Sequence, residues 1–393
     1  MKTFKQSETL KNLPEQFFAK LVKKVAKVKE THDDVINLGQ GNPDQPTPEP
    51  IVERLKEAAS NPAYHKYSPF DGHFFLKEAV ANYYLREYGV KIDPKTEVAV
   101  LAGAKAGLVE VSQCLLNPGD LALVPDPGYP DYWSGIAIAG GKMHTMPLRP
   151  ELDFHPDFSE IDQDVLQKAS LMFLNYPNNP TGAVATHSLF EEAIRLAHEH
   201  DFCLIHDFAY GAIGFDGKKP LSFLQIPGSK EVGVEMITLS KTYNMAGWRV
   251  GFAVGNPSVI QAIELLQDHY FCSIFGGIQD AAAYALNSDQ SSVVELVDMY
   301  EKRRKVLVES ALEIGWNVKA PQGSFFAWFP VPEGYTSESF ADKVLEESRV
   351  VVAPGNGFGE YGEGYVRIGL LCEEELLREA MLRIGALNLF SQG

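Results

Sequence analysis

Cysteine is scarce, with four in 393 residues. Cys114, Cys203, Cys272 and Cys372 lie far apart and form no CxxC pair, which argues against a disulfide framework or a cysteine-based zinc site. Basic residues are also in deficit: 35 Lys and Arg face 52 Asp and Glu, for a formal net charge of -17. Such a surface repels nucleic acid and anionic lipid, so neither is expected as a partner. No run of about 18 apolar residues is present. The opening residues Met1–Glu8 carry no apolar signal segment, and the expected location is the cytoplasm. The ten histidines form no metal-ligand spacing. No GxSxG, HExxH or Walker pattern occurs, and no metal is expected. The glycines of 355–359 are wrongly spaced for a nucleotide loop and read as an ordinary loop.

What is present is an ordinary globular balance, 45% hydrophobic and 22% charged. Phe17, Leu21 and Val25 recur at helical spacing among lysines. They predict an amphipathic helix that packs on the body or on a partner subunit. From about 95 to 255, short apolar runs alternate with helical segments: 98–101, 121–125, 171–174, 202–206, 236–239 and 248–254. That alternation predicts a mostly parallel sheet covered by helices. A long helical stretch follows over 256–313. Strand-like pieces at 316–319, 325–329, 350–352 and 365–368, with helices at 337–347 and 373–386, predict a smaller α+β domain.

Polar residues of unusual type end the strands. The run 236–239 delivers Ser240 and Lys241, and Arg249 comes soon after. Burying an ammonium is costly unless the amine has a use, and desolvation near other cations frees its lone pair for imine chemistry. A hydroxyl and an arginine fork beside it suit a phosphate. An imine-forming lysine beside a phosphate site suggests pyridoxal 5'-phosphate (PLP). Gly103, Ala104 and Lys105 join a strand to a helix N-terminus, an arrangement that favours anions. Tyr129 follows the strand 121–125, where an aromatic ring can stack on a flat cofactor. Asn179 stands between prolines after 171–174. Asp207 ends 202–206, where a buried carboxylate needs a cation or donors, or else caps a helix. Tyr210 comes just after it. Arg367 lies in an apolar strand and calls for a carboxylate, either a ligand's or an internal one. Gly41, in the Gly- and Pro-rich stretch 37–48, permits close approach to a ligand. Tyr67 precedes a turn-rich loop. In a parallel sheet these strand ends share one edge, so residues far apart in sequence meet there.

The marks Asn179-Pro180-Thr181-Gly182, Asp207 with Tyr210, Ser240-Lys241 with Arg249, and Arg367 come in a fixed order. Over essentially its whole length the chain resembles the class I/II, fold type I, PLP-dependent aminotransferases. The closer likeness is to the bacterial methionine-salvage branch. The stretches 37–48 and 126–135 and His206-Asp207-Phe208-Ala209-Tyr210-Gly211 carry it. The resemblance implies an α/β fold in three parts. These are an arm and helix at 1–45 belonging to the small domain, a large PLP-binding domain at 46–285, and a small C-terminal domain at 286–393.

It also implies roles. Lys241 forms the imine with the cofactor, and Asp207 pairs with its ring nitrogen. Asn179 and Tyr210 bond the ring oxygen, and Tyr129 stacks on the ring. Ala104 and Lys105 N–H groups, Ser240 and Arg249 hold the phosphate, joined by Tyr67 from the second subunit of a homodimer with shared sites. Arg367, the backbone at Gly41 and Asn179 bind substrate. The implied reaction is ping-pong transfer of an amino group between glutamine and 4-methylthio-2-oxobutanoate, giving methionine. Dicarboxylate-specific relatives carry a second arginine, whereas the region 270–277 here has no basic residue. An uncharged side chain is therefore expected, with Phe17 and Phe18 helping to close the pocket. The enzymatic alternatives are a C–S lyase of the cystathionine β-lyase kind and an aminotransferase for aromatic or aspartate substrates. A PLP-sensing regulator is disfavoured by the missing basic DNA-binding domain.

Overall fold

The computed structural model describes residues 1–14, 17–270 and 273–390. The side chain of Phe18 lies outside the described residues, as do Phe271 and Cys272. The chain order of the strands is β1 (Ile36–Asn37), β2 (Val98–Leu101), β3 (Leu121–Asp126), β4 (Lys142–Pro147), β5 (Ala169–Asn175) and β6 (Cys203–Asp207). Then come β7 (Gly233–Thr238), β8 (Gly251–Gly255), β9 (Phe326–Pro330), β10 (Val350–Val351), β11 (Ala353–Pro354) and β12 (Tyr365–Gly369).

Seven strands form one sheet in the order β2-β8-β7-β6-β5-β3-β4. The pairs from β4 through β7 are parallel, while β8 is antiparallel to both β7 and β2. Both faces are covered, which is why these strands read as continuous apolar runs. One face packs on Leu76, Tyr84, Phe190 and Phe223, the other on Leu108, Tyr132 and Ile136. Neighbours on a strand alternate between these faces: Leu204 lies in the first core and Ile205 in the second.

A second structure is built from β11-β12-β9, all antiparallel, with a core of Trp316, Phe325, Phe329, Phe340, Ile368 and Leu377. Ile36 and Leu38 join this core, and β1 pairs in parallel with β10. The segment just after the arm is thereby fastened to residues more than three hundred positions away. The helix Phe17–Lys29 docks beside it through Val25 against Leu345 and Val351. Lys24 bonds Asp342 at 2.8 Å and Glu338 at 3.2 Å.

Several expectations need correction. β4 is a strand that the sequence did not announce: Lys-Met-His-Thr-Met-Pro is largely exposed at the sheet edge and lacks an apolar run. The piece 316–319 pairs with nothing; Trp316 instead fills the second core and donates Nε1–H to the Pro330 carbonyl at 2.7 Å. β8 begins at Gly251, not 248, because Ala246–Trp248 form a 3-10 turn and Arg249 takes a left-handed φ of 56°. The stretch 256–313 is three helices, Pro257–Tyr270, Gly276–Asn287 and Ser291–Glu313. Among the described residues no helix is long and apolar enough to cross a membrane, and no cluster of three or more His, Cys, Asp or Glu could hold a metal.

Candidate active site

Strand direction assembles the site. The parallel strands end at one edge, and antiparallel β8 starts there, with Thr238 and Leu101 both opposite Gly251. Arg249, just ahead of β8, therefore arrives beside the residues that leave β2, β3, β5, β6 and β7. A cavity of about 470 Å³ lies at this edge. Its wall includes Gly41, Ala104, Lys105, Tyr129, Asn179, Asp207, Tyr210, Ser240, Lys241, Arg249 and Arg367. Tyr67 does not line it; in the single chain that ring is 89% exposed. Phe17 is not in its wall either, but packs 6.3 Å from Phe358.

One corner is suited to an anion. The helix Ala104–Leu115 opens there, and first-turn N–H groups have no acceptor inside a helix. Its cap, Gly103, has φ 88°, and a Cβ there would collide with the Arg249 guanidinium. Ser240 and Lys241 are not on the strand but in a single helical turn, Leu239–Thr242. The Thr238 hydroxyl caps this turn by accepting Ser240 N–H at 3.2 Å, and its own proton goes to Ser240 Oγ at 2.9 Å or the Val250 carbonyl at 3.1 Å. The Lys105 ammonium pairs with Asp131 at 2.9 Å.

Lys241 Nζ donates to the Gly41 carbonyl at 3.0 Å and lies 5.2 Å from the Phe325 ring centre. Burial pushes its pKa down to about 8; Arg367 and Arg249 add to this, and Asp207 opposes it. A buried amine near its neutral form is what nucleophilic and proton-transfer chemistry needs.

Asp207 is 4% exposed. One oxygen accepts the Tyr132 hydroxyl at 2.7 Å and the other the Ala209 N–H at 3.2 Å. Burial raises its pKa, while Tyr132, Ala209 and His206 hold it down. It is not a helix cap, since no helix follows it. Tyr132 was missed by sequence reasoning, because a tyrosine in the apolar helix Asp131–Ala139 reads as core. Tyr129 meets Tyr132 edge-on at 5.8 Å.

Arg367 is 2% exposed and donates to Asn179 Oδ1 at 2.9 Å and to the Gly39 carbonyl at 3.1 Å. Its guanidinium sits 3.9 Å from the Phe326 ring centre and 4.8 Å from that of Phe358. Burial lowers its pKa to about 10. Tyr210 packs edge-on against Phe325 at 5.1 Å. Asn179 is set by its own loop. The Asn175 side chain accepts Asn179 N–H at 2.8 Å, and Asn178 Oδ1 accepts the Thr181 N–H and hydroxyl at 3.0 and 2.8 Å.

The fold and this constellation define an aminotransferase: the chain belongs to the aminotransferase class I and II family, matched over residues 33–384. It is 64% identical over 390 residues to the L-glutamine–4-(methylsulfanyl)-2-oxobutanoate aminotransferase of Bacillus subtilis strain 168, covering 99% of this chain and 98% of that one. It is 51% identical over 385 residues to transaminase BacF of the same organism, covering 98% of this chain and 96% of that one. The substrate-bound structure of BacF superposes with a TM-score of 0.95 at 50% identity, covering 100% of both chains.

Enzymes of this family use PLP, and the residues here fit it. The corner of Ser240, Arg249 and the helix start suits a dianionic phosphate, the buried carboxylate of Asp207 suits a cationic ring nitrogen, and Lys241 shares one cavity with these groups and Arg367.

Proposed function

We propose that this aminotransferase moves the amino group of glutamine to 4-methylthio-2-oxobutanoate, giving methionine and 2-oxoglutaramate. The observation that carries the chemistry is the amine of Lys241, its pKa lowered to about 8, in one cavity with Asp207, Arg249 and Arg367. The substrate pair is supported by the 64% identity to the Bacillus enzyme of that name and by the missing basic residue in 270–277.

When bound, PLP supplies an electron-accepting ring that eases loss of the substrate's Cα proton. The chain's residues do the rest. Ser240, Arg249 and the N–H groups of Ala104 and Lys105 hold the phosphate. Asp207 would hold the proton on the ring nitrogen, Asn179 and Tyr210 would bond the ring oxygen, and Tyr129 would stack on the ring. Arg367 trades its present acceptors for the substrate α-carboxylate, with the Gly41 backbone beside it. Lys241, released from the Gly41 carbonyl, would serve as the base that takes the substrate's Cα proton and as the acid that gives it back. Phe17, against Phe358, closes the side-chain pocket.

The working unit in this reading is a cytoplasmic homodimer. The second subunit's copy of Tyr67 completes the phosphate site, which gives the exposed ring a task. Residues 46–285 form the large domain, 286–393 the small one, and 1–45 belong with the small one. The pairing of β1 with β10 supports that last assignment.

A half-reaction screen tests the proposal. Purified holoenzyme is mixed with single amino acids, and loss of the cofactor's visible absorbance is followed. Glutamine and methionine should react fastest and aspartate poorly. A preference for aspartate would overturn the substrate assignment, and pyruvate release from cystathionine would overturn transfer itself.

A further inference from the structure

On the face of β6 opposite Asp207 lies a buried polar group for which the reaction described above has no use. His206 is 1% exposed, and across from it on β7 is Glu235, 0% exposed. His206 Nδ1 lies 2.8 Å from Glu235 Oε2, and Nε2 lies 3.0 Å from the Tyr176 carbonyl oxygen. A carbonyl can only accept, so Nε2 carries a proton.

The state of Nδ1 follows from counting donors at Glu235. Oε1 receives the Tyr84 hydroxyl at 2.8 Å and the Ser222 hydroxyl at 2.8 Å. Ser222 Oγ itself accepts the Leu224 N–H at 3.2 Å, which leaves its proton for Glu235. Oε2 receives the Phe223 N–H at 2.8 Å. Three donors favour a carboxylate as their acceptor, and a proton on Nδ1 would give its Oε2 a second donor. Phe190 at 4.9 Å and Phe208 at 5.0 Å lie within cation–π reach of the imidazole, which offsets part of the desolvation cost of a charge there. Besides Glu235, the titratable group nearest this cluster is Tyr84, already donating to the same carboxylate. Asp207 lies on the far side of the strand.

We propose that His206 is a buried imidazolium, paired with Glu235, that positions Asp207 and Asn179 and supplies the positive charge behind the Asp207 carboxylate. Its contacts tie together the three strands whose ends carry the chemistry. β6 carries His206 and Asp207, β7 carries Glu235 and leads to Lys241, and the Tyr176 carbonyl begins the loop from β5 to Asn179. His206 already counts among the groups that hold the Asp207 carboxyl down against burial. The pair is thus a positioning device, and its effect on the cofactor rests on the reading of Asp207 as partner of the ring nitrogen.

The charge state is tested without the cofactor. Side-chain ¹⁵N NMR of the apoprotein at pH 7.5 should show both nitrogens of His206 protonated; one bare nitrogen would overturn the proposal. The variant H206Q, which keeps a donor toward Glu235 but no charge, is then loaded with ring-¹⁵N-labelled cofactor. The ring nitrogen should keep its proton in the parent protein and shift toward the bare form in H206Q, with kcat down about tenfold and KM little changed. E235Q, which removes the anion, should show the same shift if H206Q does not fold. An unshifted ring nitrogen in a folded variant would overturn the proposal. Failure of D207N to change that resonance would instead overturn the underlying role of Asp207.

Discussion

The cavity has two walls of different origin. The sheet-edge wall is made by residues that leave adjacent strands: Ala104, Tyr129, Asn179, Asp207, Ser240 and Lys241. Each is placed by the strand before it, so the arrangement follows from strand direction alone. The opposite wall gathers Gly41, Phe326 and Arg367, the last two on the paired strands β9 and β12 of the second sheet. Its geometry depends on the second core, on the β1–β10 pairing, and on one bridge. The Asp126 carboxylate, at the end of β3, accepts the Glu360 and Tyr361 N–H groups at 3.1 and 3.0 Å. The difference suggests a division of labour. In the proposed reading, the sheet edge would hold the cofactor and the proton-transfer groups, and the second wall would set what binds.

Substitutions can break that division. The largest effect is expected at the sheet edge: Lys241→Ala should cut transamination at least ~10⁴-fold, the upper range for an acid–base group, as measured by single-turnover kinetics. Asp207→Asn, which keeps the size but loses the charge, should lower kcat by about 10²–10³, typical of a lost electrostatic partner. On the second wall, Arg367→Lys loses the two-pronged grip on a carboxylate. The amino-acid KM should rise about ten- to a hundredfold, matching one charged hydrogen bond, with kcat changing less. A fall confined to kcat would show that this wall takes part in the chemistry. Phe358→Ala should change KM only several-fold, and differently for methionine and glutamine.

Two pH effects separate the walls further. Burial and two arginines set the Lys241 amine near pKa 8. Capture of PLP by the apoprotein should therefore speed up as pH rises through about 8 and level off above it. Burial lifts Asp126 to about 6, against 3.8 as its ordinary value, with the two amides opposing. Its folded form thus binds a proton more tightly than its unfolded form, so its contribution to stability is present below pH 3.8 and lost as pH rises through about 6. Asp126→Asn should remove that component from a stability–pH curve and leave the PLP capture profile unchanged.

How much was legible in advance follows the same line. The sheet-edge residues could be read because each polar residue interrupts an apolar run, and an interruption at a strand end is a local signal. Arg367 was legible for the same reason. Tyr132 was not, because a tyrosine in an apolar helix looks like core until its hydroxyl is seen on Asp207. β4 escaped because an exposed edge strand needs no apolar run, and Trp316 misled because a core aromatic outside any strand has the same composition as one inside. The His206–Glu235 pair was invisible, since nothing in a sequence says that two residues far apart face each other across neighbouring strands.

The central assignment is the covalent anchor. Holoenzyme reduced with borohydride, digested and analysed by mass spectrometry should carry the pyridoxyl phosphate mass on the peptide containing Lys241 and on no other. The same mass on Lys105, or an unmodified Lys241 in fully reduced enzyme, would contradict it.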